Sequence, residues 1–201
     1  MDVVWVLLLP AYLLGTFPTA LLVGRWAGQD PTRSGSGNPG ASNAYRTMGR
    51  RAGVTVLVGD VCKGVVAASG ALLLGGRGVA VACGLAAVVG HVLPITRRFQ
   101  GGKGVATAAG MAFVLVPGPA VALIVVWAAV AKITGTASIA SITIAAAMPV
   151  AVALAGRPGA EVGAFAACGA LVVARHRGNI GRLRRGEERV LTRGSRSQRL
   201  P

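Results

Sequence analysis

The chain has 201 residues, of which 53% are hydrophobic and only 13% charged, and its mean hydropathy is +0.64. This composition excludes an ordinary soluble domain and predicts an integral membrane protein. The formal net charge of +15 comes from 21 lysines and arginines against six acids, but these cations are concentrated in short connections between apolar runs, which argues against nucleic acid as a partner.

The apolar runs predict an all-α bundle of membrane-spanning helices. The first run, residues 3–24, follows Met1 and Asp2 with no basic residues before it and no convincing cleavage site after it, which favours a retained span over a signal peptide. The later runs cover residues 52–74, 79–95, 105–131, 137–155 and 161–174. Most are near the length that crosses a bilayer as a helix. The run 105–131 contains Pro117-Gly118-Pro119 near its middle, where a helix would break.

The positions of lysine and arginine decide how residues 105–131 cross the membrane, because basic residues in short connections mark the cytoplasmic side. Basic residues follow the first, third and last runs: Arg25, Arg33, Arg46, Arg50 and Arg51, then Arg97, Arg98 and Lys103, then the arginines from Arg175 onward. These loops share one side only if residues 105–131 cross twice, as two short helices of about 20 Å each. The prediction is therefore seven transmembrane helices, with short fourth and fifth helices, the N-terminus outside and the C-terminus cytoplasmic.

The domain organisation follows from the same pattern. Residues 1–191 are predicted to form a single membrane-embedded domain, and residues 192–201 a basic, disordered cytoplasmic tail that contacts anionic lipid headgroups. The three cysteines, Cys62, Cys83 and Cys168, are far apart and lie within apolar runs, so their spacing predicts neither a disulfide nor a metal site.

The segment Gly101-Gly102-Lys103-Gly104 has the composition of an anion site. Three glycines allow backbone amides to approach an anion closely, Lys103 adds an ammonium, and the helix predicted from Val105 would point its positive end at the same place. The segment is not a Walker A loop, because Arg97 and Gly104 stand where that motif needs a glycine and a hydroxyl residue. Taken alone, it fits a flexible basic turn equally well.

The first cytoplasmic loop combines small, polar and basic residues. Its glycines permit close approach of a ligand, its hydroxyls and carboxamides supply neutral hydrogen bonds, and Arg46 can bind two oxygens of a phosphate. The alternative is a turn-rich linker with a helix cap. The candidate ligand contacts in this loop are Ser36, Asn38, Gly40, Ser42, Asn43 and Arg46.

Several later polar residues have both a functional and a packing interpretation. The Thr107 hydroxyl can reach a bound anion or bond back to its own helix. Ser138 and Ser141, three residues apart on one helix face, are more typical of helix packing than of substrate contact. His176 and Asn179 would share a face if the last helix continues that far.

Two further groups within the spans are ambiguous. His91 fits a packed, hydrogen-bonded helix residue slightly better than a participant in chemistry. Asp60 and Lys63 are also three residues apart, and the simplest interpretation is that they neutralise each other.

The polar clusters all follow odd-numbered spans and so lie at one leaflet, which favours an interfacial enzyme over a transporter with a site at the membrane midplane. The sequence contains no nucleophile elbow, metal-ligand cluster or acidic pair. It therefore predicts a site that needs no cofactor or metal and works by binding phosphates and aligning reactants.

Three ordered motifs resemble the bacterial acyl-phosphate-dependent glycerol-3-phosphate acyltransferases, the PlsY family. The first motif covers residues 35–43 with Arg46, and the second runs from Gly90-His91 through Pro94 and Phe99 to Thr107. The third comprises His176, Asn179-Ile180, Arg182-Leu183, Gly186 and Glu188. The sequence departs from the family pattern at Pro39, at Ser42, which keeps a hydroxyl where threonine is common, at Thr96 to Arg98, and at Val190.

The resemblance implies transfer of a fatty acyl group from acyl phosphate to the 1-hydroxyl of glycerol 3-phosphate, giving lysophosphatidate and phosphate in the first step of phospholipid synthesis. It implies a multi-pass protein of the bacterial plasma membrane, with its active site on the cytoplasmic side, contacts with membrane lipids and no obligate protein partner. Residues matching catalytic motif positions are Ser36, Lys103, His176 and Asn179. Those expected to bind substrate are Asn38, Gly40, Ser42, Asn43, Arg46, Gly101, Gly102, Gly104, Thr107, Ser138 and Ser141.

Two other functions fit parts of the sequence. One is a transporter or exchanger of small phosphorylated solutes. The other is a non-catalytic membrane scaffold that holds anionic lipids with its basic tail.

Overall fold

The computed structural model describes residues 3–191, so Met1, Asp2 and the tail predicted for residues 192–201 lie outside the described residues. The described chain contains helices and no strand, which confirms the all-α prediction. A short 3₁₀ turn covers Ile95–Arg97. The α-helices are α1 Val3–Gly15, α2 Thr19–Trp26, α3 Ala41–Val92, α4 Val105–Leu115, α5 Pro117–Thr134, α6 Ala137–Leu154, α7 Gly159–Arg175 and α8 Arg177–Arg184.

The first apolar run is two helices and not the single helix expected for residues 3–24. Helix α1 ends at Gly15, and α2 begins at Thr19 after Pro18. Proline has no N–H to donate and disfavours helical geometry in the residue before it, so the chain breaks at this point. The break brings Thr19 into the protein interior, where its side chain is buried.

Helix α3 is folded into three arms, residues 41–48, 50–75 and 77–92, separated by Gly49 and Gly76. These two glycines have φ of 86° and 76°, a left-handed conformation that other residues rarely adopt. The second and third arms run antiparallel, because Asp60 and His91, on either side of Gly76, lie only 3.6 Å apart. The second and third arms correspond to the second and third predicted spans.

The predicted break near Pro117 is confirmed, because α4 ends at Leu115 and α5 begins at Pro117. Helix α4 is short, with 11 residues. The expectation of a short fifth helix was wrong, because α5 has 18 residues. Pro117 occupies the first helical position, where its missing N–H costs nothing, and the helix continues until Gly135 at φ 66°. The helix is longer than expected because it includes the whole Pro117–Pro119 segment and continues past residue 131 to Thr134.

Within residues 3–191, four helical segments are long and apolar enough to cross a membrane: Val6–Trp26, Ala41–Arg97, Pro117–Thr134 and Ala137–Leu154. Small residues allow these helices to pack closely, as is common in membranes. A methyl group on Gly64 would overlap the Thr107 carbonyl of α4, and one on Gly110 would overlap the carbonyl of Val61. The second arm of α3 and α4 therefore touch backbone to backbone. This contact holds the start of α4 in place.

Candidate active site

The glycine turn, residues 101–104, lies between the third arm of α3 and α4. The Gly102 N–H donates to the His91 carbonyl at 3.0 Å. A methyl group on Gly101 would overlap that same carbonyl oxygen, and one on Gly102 would overlap the His91 imidazole. Gly104 has φ of 87° and lies immediately before α4. The first two glycines thus allow the turn to pack directly on His91.

Part of the backbone of this turn is engaged within the fold. The amide of Gly102 is engaged within the fold, and Arg175 binds the carbonyls of Gly101 and Gly102 from the other side at 3.0 and 3.4 Å. The amides of Gly101, Lys103 and Gly104 have no acceptor within residues 3–191. Those of Lys103 and Gly104 lie next to the start of α4, where an anion would also meet the positive end of the helix.

Asn43 holds the first loop together. Its Oδ1 accepts the Ser36 N–H at 2.8 Å, and its Nδ2 donates to the Pro31 and Ser34 carbonyls at 2.9 and 3.0 Å. The side chain is buried and its carboxamide is fully engaged. The substrate contact expected through Asn43 stays a prediction, because in this structure both N–H groups of its carboxamide donate to the loop itself. Asn43 sets the loop conformation that presents the Ser36 side chain.

The rest of the first loop lies close to the glycine turn. Pro39 lines the same small cavity as His91 and Gly102, and the Asn38 N–H lies 3.4 Å from the Ser36 hydroxyl. Ser36, Asn38, Gly40 and Ser42 are partly exposed. No hydrogen bond within residues 3–191 joins these side chains to Lys103.

Cations from three distant parts of the chain converge next to this loop. Burial lowers the pKa of Lys103 to about 8, and the charges of Arg182, Arg46 and Arg175 act in the same direction against that of Glu188. Lys103 forms no salt bridge within the described residues. The buried Nε of Arg46 also has no hydrogen-bond partner there. Lys103 and Nε of Arg46 therefore have no directly bound partner within the described residues.

Glu188 is the carboxylate at this site, and its three partners lie on α6 and α8. It accepts the Ser138 hydroxyl at 3.0 Å, the Asn179 amide at 2.5 Å and Nε of Arg182 at 2.8 Å. Burial raises its pKa, but the hydrogen bonds from Asn179, Arg182 and Ser138 outweigh burial, and the net shift is downward. Glu188 is therefore ionised near neutral pH. The segment that follows Glu188 is attached to the turn between α5 and α6, because the Leu191 N–H donates to the Gly135 carbonyl.

His176 and Asn179 lie on neighbouring turns at the end of α7 and the start of α8, as their spacing predicted. Both are buried, and the Ile180 N–H donates to the His176 carbonyl, so the helical path continues across the junction. Nδ1 of His176 lies 2.8 Å from the Val172 carbonyl, which assigns the proton to Nδ1 and leaves Nε2 as an acceptor. Burial and the Lys103 charge lower the His176 pKa to about 4. The imidazole is therefore neutral at physiological pH.

Thr107, Ser138 and Ser141 have different surroundings. The Thr107 hydroxyl is fully buried and has no partner within the described residues, so the bond back to its own helix does not form. Ser138 is engaged by Glu188, and Ser141 accepts the indole N–H of Trp127 at 3.1 Å. The two serines therefore have protein partners, which agrees with the packing interpretation.

An apolar groove extends from the site between α4, α5, α6 and α7. Val105 and Val172 line its upper part, and Phe165 and Met148 line it deeper in the bundle. Ser141 and Met148 are two helical turns apart, so the groove follows α6 for about 10 Å. Its lining has the chemistry of a site for a hydrocarbon chain.

The sequence analysis assigned no individual role to three residues at the centre of the site. Glu188 contacts Asn179, Arg182 contacts the Glu188 carboxylate, and Arg175 contacts the glycine turn. One signal was present in the sequence: Glu188 is one of only six acids in a chain with 21 cations. An acid placed among so many arginines indicates a specific partner.

The comparisons with known proteins agree with this geometry. The model of the family described as glycerol-3-phosphate acyltransferase matches residues 5–186. The glycerol-3-phosphate acyltransferase of Geotalea daltonii is 44% identical over 94% of this chain and 97% of its own length. That of Geobacter metallireducens is 46% identical over 90% of this chain and 94% of its own length.

Two solved structures have the same fold. The crystal structure of PlsY (YgiH), an integral membrane glycerol 3-phosphate acyltransferase, in its glycerol 3-phosphate form has a TM-score of 0.89 and 36% identity. The match covers 93% of this chain and 94% of the PlsY chain. The lysophosphatidic acid form has a TM-score of 0.87, with the same identity and coverage.

Proposed function

The chain belongs to the glycerol-3-phosphate acyltransferase family, and from that premise we propose that it acylates the 1-hydroxyl of glycerol 3-phosphate with an acyl phosphate as donor. It is an integral membrane acyltransferase, and its products are lysophosphatidate and phosphate. One observation carries the choice of donor: the apolar groove meets the cations Lys103 and Arg46. Neither cation has an anionic partner within the described residues. An acyl phosphate has the matching parts, a phosphate and a hydrocarbon chain.

We assign the two phosphates to different cations. Lys103, the end of the glycine turn and Ser36 would hold the phosphate of the donor, while Arg46 would bind the phosphate of glycerol 3-phosphate. The acyl chain would enter the groove beside Val105 and Val172. The positive charge of this site would stabilise the negative charge that develops on the carbonyl oxygen and on the departing phosphate.

The reaction forms one ester bond and breaks one acyl–phosphate bond. The hydroxyl oxygen of glycerol 3-phosphate attacks the acyl carbonyl carbon, and the phosphate leaves with the electron pair of the broken C–O bond. The hydroxyl proton ends on the released phosphate. With a pKa of about 4, His176 is a weak base, so its role would be to accept the hydroxyl hydrogen bond at Nε2 and orient the attack. Asn179, held by Glu188, would complete this orientation.

The proposed topology has seven spans, with the N-terminus outside and the site at the cytoplasmic face of a bacterial plasma membrane. Counting the second and third arms of α3 separately, α1–α2, α4, α5, α6 and α7 bring the apolar segments to that number. The clustered arginines of the 25–51 loop support a cytoplasmic location. We propose that residues 1–191 form one domain and that residues 192–201 form a basic tail that contacts lipid.

A single assay tests the activity and the donor together. The purified protein, given acyl phosphate and glycerol 3-phosphate, should release phosphate and form lysophosphatidate in equal amounts. Acyl coenzyme A in place of acyl phosphate should give no product. Product from acyl coenzyme A would contradict the proposed donor, and no product from either donor would contradict the proposed function. No observation in the structure favours a transporter or a scaffold.

A further inference from the structure

Three ionisable side chains are buried together behind the glycine turn. They are separate from Lys103 and Arg46, the cations assigned to the substrate phosphates. Nζ of Lys63 donates to Oδ1 of Asp60 at 2.7 Å, and Nδ1 of His91 lies 3.6 Å from the same oxygen. Asp60, Lys63 and His91 are 2%, 4% and 8% exposed, respectively. The buried hydroxyl of Thr19, at the break between α1 and α2, belongs to the same small cavity.

Stability alone does not account for these charges. Well-packed apolar residues in place of a buried ion pair usually leave stability unchanged or improve it. The second and third arms of α3 already pack through small apolar residues, including Ala67, Ala68, Ala80 and Ala87. The role of the Asp60–Lys63 pair must therefore follow from the residues that it contacts.

The network reaches the glycine turn through His91. The His91 carbonyl accepts the Gly102 N–H, and the His91 ring is the surface against which Gly102 packs, with no room for a methyl group between them. Tyr12 holds the adjoining chain, because its hydroxyl donates to the Leu93 carbonyl and accepts the Ile95 N–H. The turn is thus supported by His91 on one side and by Arg175 on the other.

We propose that Asp60 and Lys63 are positioning residues for the acyl transfer. The Asp60 carboxylate faces Nδ1 of His91 at 3.6 Å and restrains the imidazole through an electrostatic contact. Lys63 balances the charge of Asp60, and His91 then fixes the glycine turn and the ammonium of Lys103. This inference rests on the proposed function. A displacement of about 1 Å at a catalytic group costs up to about 100-fold in rate, so the effect of such a network is large without any contact to substrate.

The test removes both charges at once, because removing one would leave the other buried and unpaired. In Asp60→Asn/Lys63→Met, we expect kcat/KM for glycerol 3-phosphate to fall about 10- to 100-fold, with a melting temperature in detergent close to that of the wild type. The control is Arg77→Gln/Glu161→Gln, a second ion pair at the other end of the bundle. It should lower the melting temperature and leave kcat/KM of the folded protein unchanged.

A second experiment tests the route through His91. Gly102→Ala and His91→Ala should each reduce kcat/KM, but the double variant should resemble His91→Ala alone, because removal of the imidazole gives the new methyl group room. Losses that multiply in the double variant would show that Gly102 acts without His91, and would overturn the inference. So would unchanged kcat/KM in Asp60→Asn/Lys63→Met, or a loss that only follows the amount of folded protein.

Calorimetric titration with a non-hydrolysable acyl phosphonate, an analogue of the proposed donor, separates this inference from the proposed function. Because the network supports the glycine turn and Lys103, which are assigned to the donor phosphate, the Asp60→Asn/Lys63→Met variant should bind the phosphonate at least about tenfold more weakly than the wild type, which requires no turnover. A wild type that binds the phosphonate but forms no lysophosphatidate would refute the proposed reaction, while the affinity of the variant still decides the role of the network. Equal affinities would overturn the role of Asp60 and Lys63.

Discussion

Helix α7 has a charge cluster at each end, and the two clusters differ in how their charges are paired. At its start, Glu161 accepts two hydrogen bonds from Arg77, at 2.6 and 2.9 Å, and two from Arg157, each at 3.1 Å. Arg77 also donates to the Leu115 carbonyl at the end of α4. At the other end of α7, Glu188 pairs with Arg182, and Lys103 and the Nε of Arg46 have no partner within residues 3–191.

The difference distinguishes a cluster that holds helices together from one that is suited to bind an anionic substrate. The Glu161 cluster uses its charge internally and joins the Gly76 turn, α4 and the α6–α7 connection to α7. The Glu188 cluster keeps positive charge in excess. A cation held in place without an anion costs stability and is understandable where an anionic substrate supplies the missing charge. Four predictions test this contrast.

Lys103→Ala has the largest expected effect. Because Lys103 is partly buried and has no partner within the described residues, its removal should not lower the melting temperature and should raise it slightly. Because it is expected to bind the transferring phosphate, kcat/KM should fall about 1000-fold. The measurement is lysophosphatidate formation alongside thermal unfolding in detergent. Lys132→Ala, an exposed lysine in the last turn of α5, is the matched control and should retain full activity. Normal activity of Lys103→Ala would remove the basis of the assignment.

Glu188→Ala comes next, because it releases Asn179, Arg182 and Ser138 together. Charge-assisted hydrogen bonds of this kind contribute about 1.5–3 kcal/mol each, so we expect kcat/KM to fall about 100-fold. Glu188→Gln keeps an acceptor oxygen and should lose less, about tenfold. The comparison is made on kcat/KM at equal amounts of folded protein. Equal losses in the two variants would show that the carboxylate charge, and not the hydrogen-bond geometry, is what matters.

Glu161→Gln should have the opposite signature. It leaves Arg77 and Arg157 without their carboxylate, and because the Arg77 side chain is 33% exposed, we expect a loss of about 2 kcal/mol in the free energy of unfolding, below the range for fully buried pairs. Activity of the folded protein should be unchanged. Thermal unfolding in detergent and kcat/KM at a permissive temperature measure the two quantities. A lowered kcat/KM with unchanged stability would contradict the division between the clusters.

The sequence predicted more of the helix pattern than of the site. Apolar runs and Pro117 are local signals, so the breaks near Gly76 and Pro117 were predictable. The break at Pro18 followed the same chemistry but was missed within a long apolar run. The role of Asn43 depends on backbone carbonyls that meet only in the folded loop. The same holds for Glu188, whose partners come from α6 and α8.

The last prediction is a pH dependence that only the unpaired cluster should show. Burial lowers the pKa of Lys103 from its ordinary value of 10.5 to about 8, so as pH rises through about 8 the ammonium that binds phosphate is lost. Since only the protonated form binds, kcat/KM should fall about tenfold per pH unit above that value. A bound phosphate stabilises the charged lysine, so the corresponding fall in kcat should occur at higher pH. Lys103→Arg keeps its charge throughout this range, and its residual kcat/KM should lose the alkaline fall. An alkaline fall that persists unchanged in Lys103→Arg would assign the titration to another group.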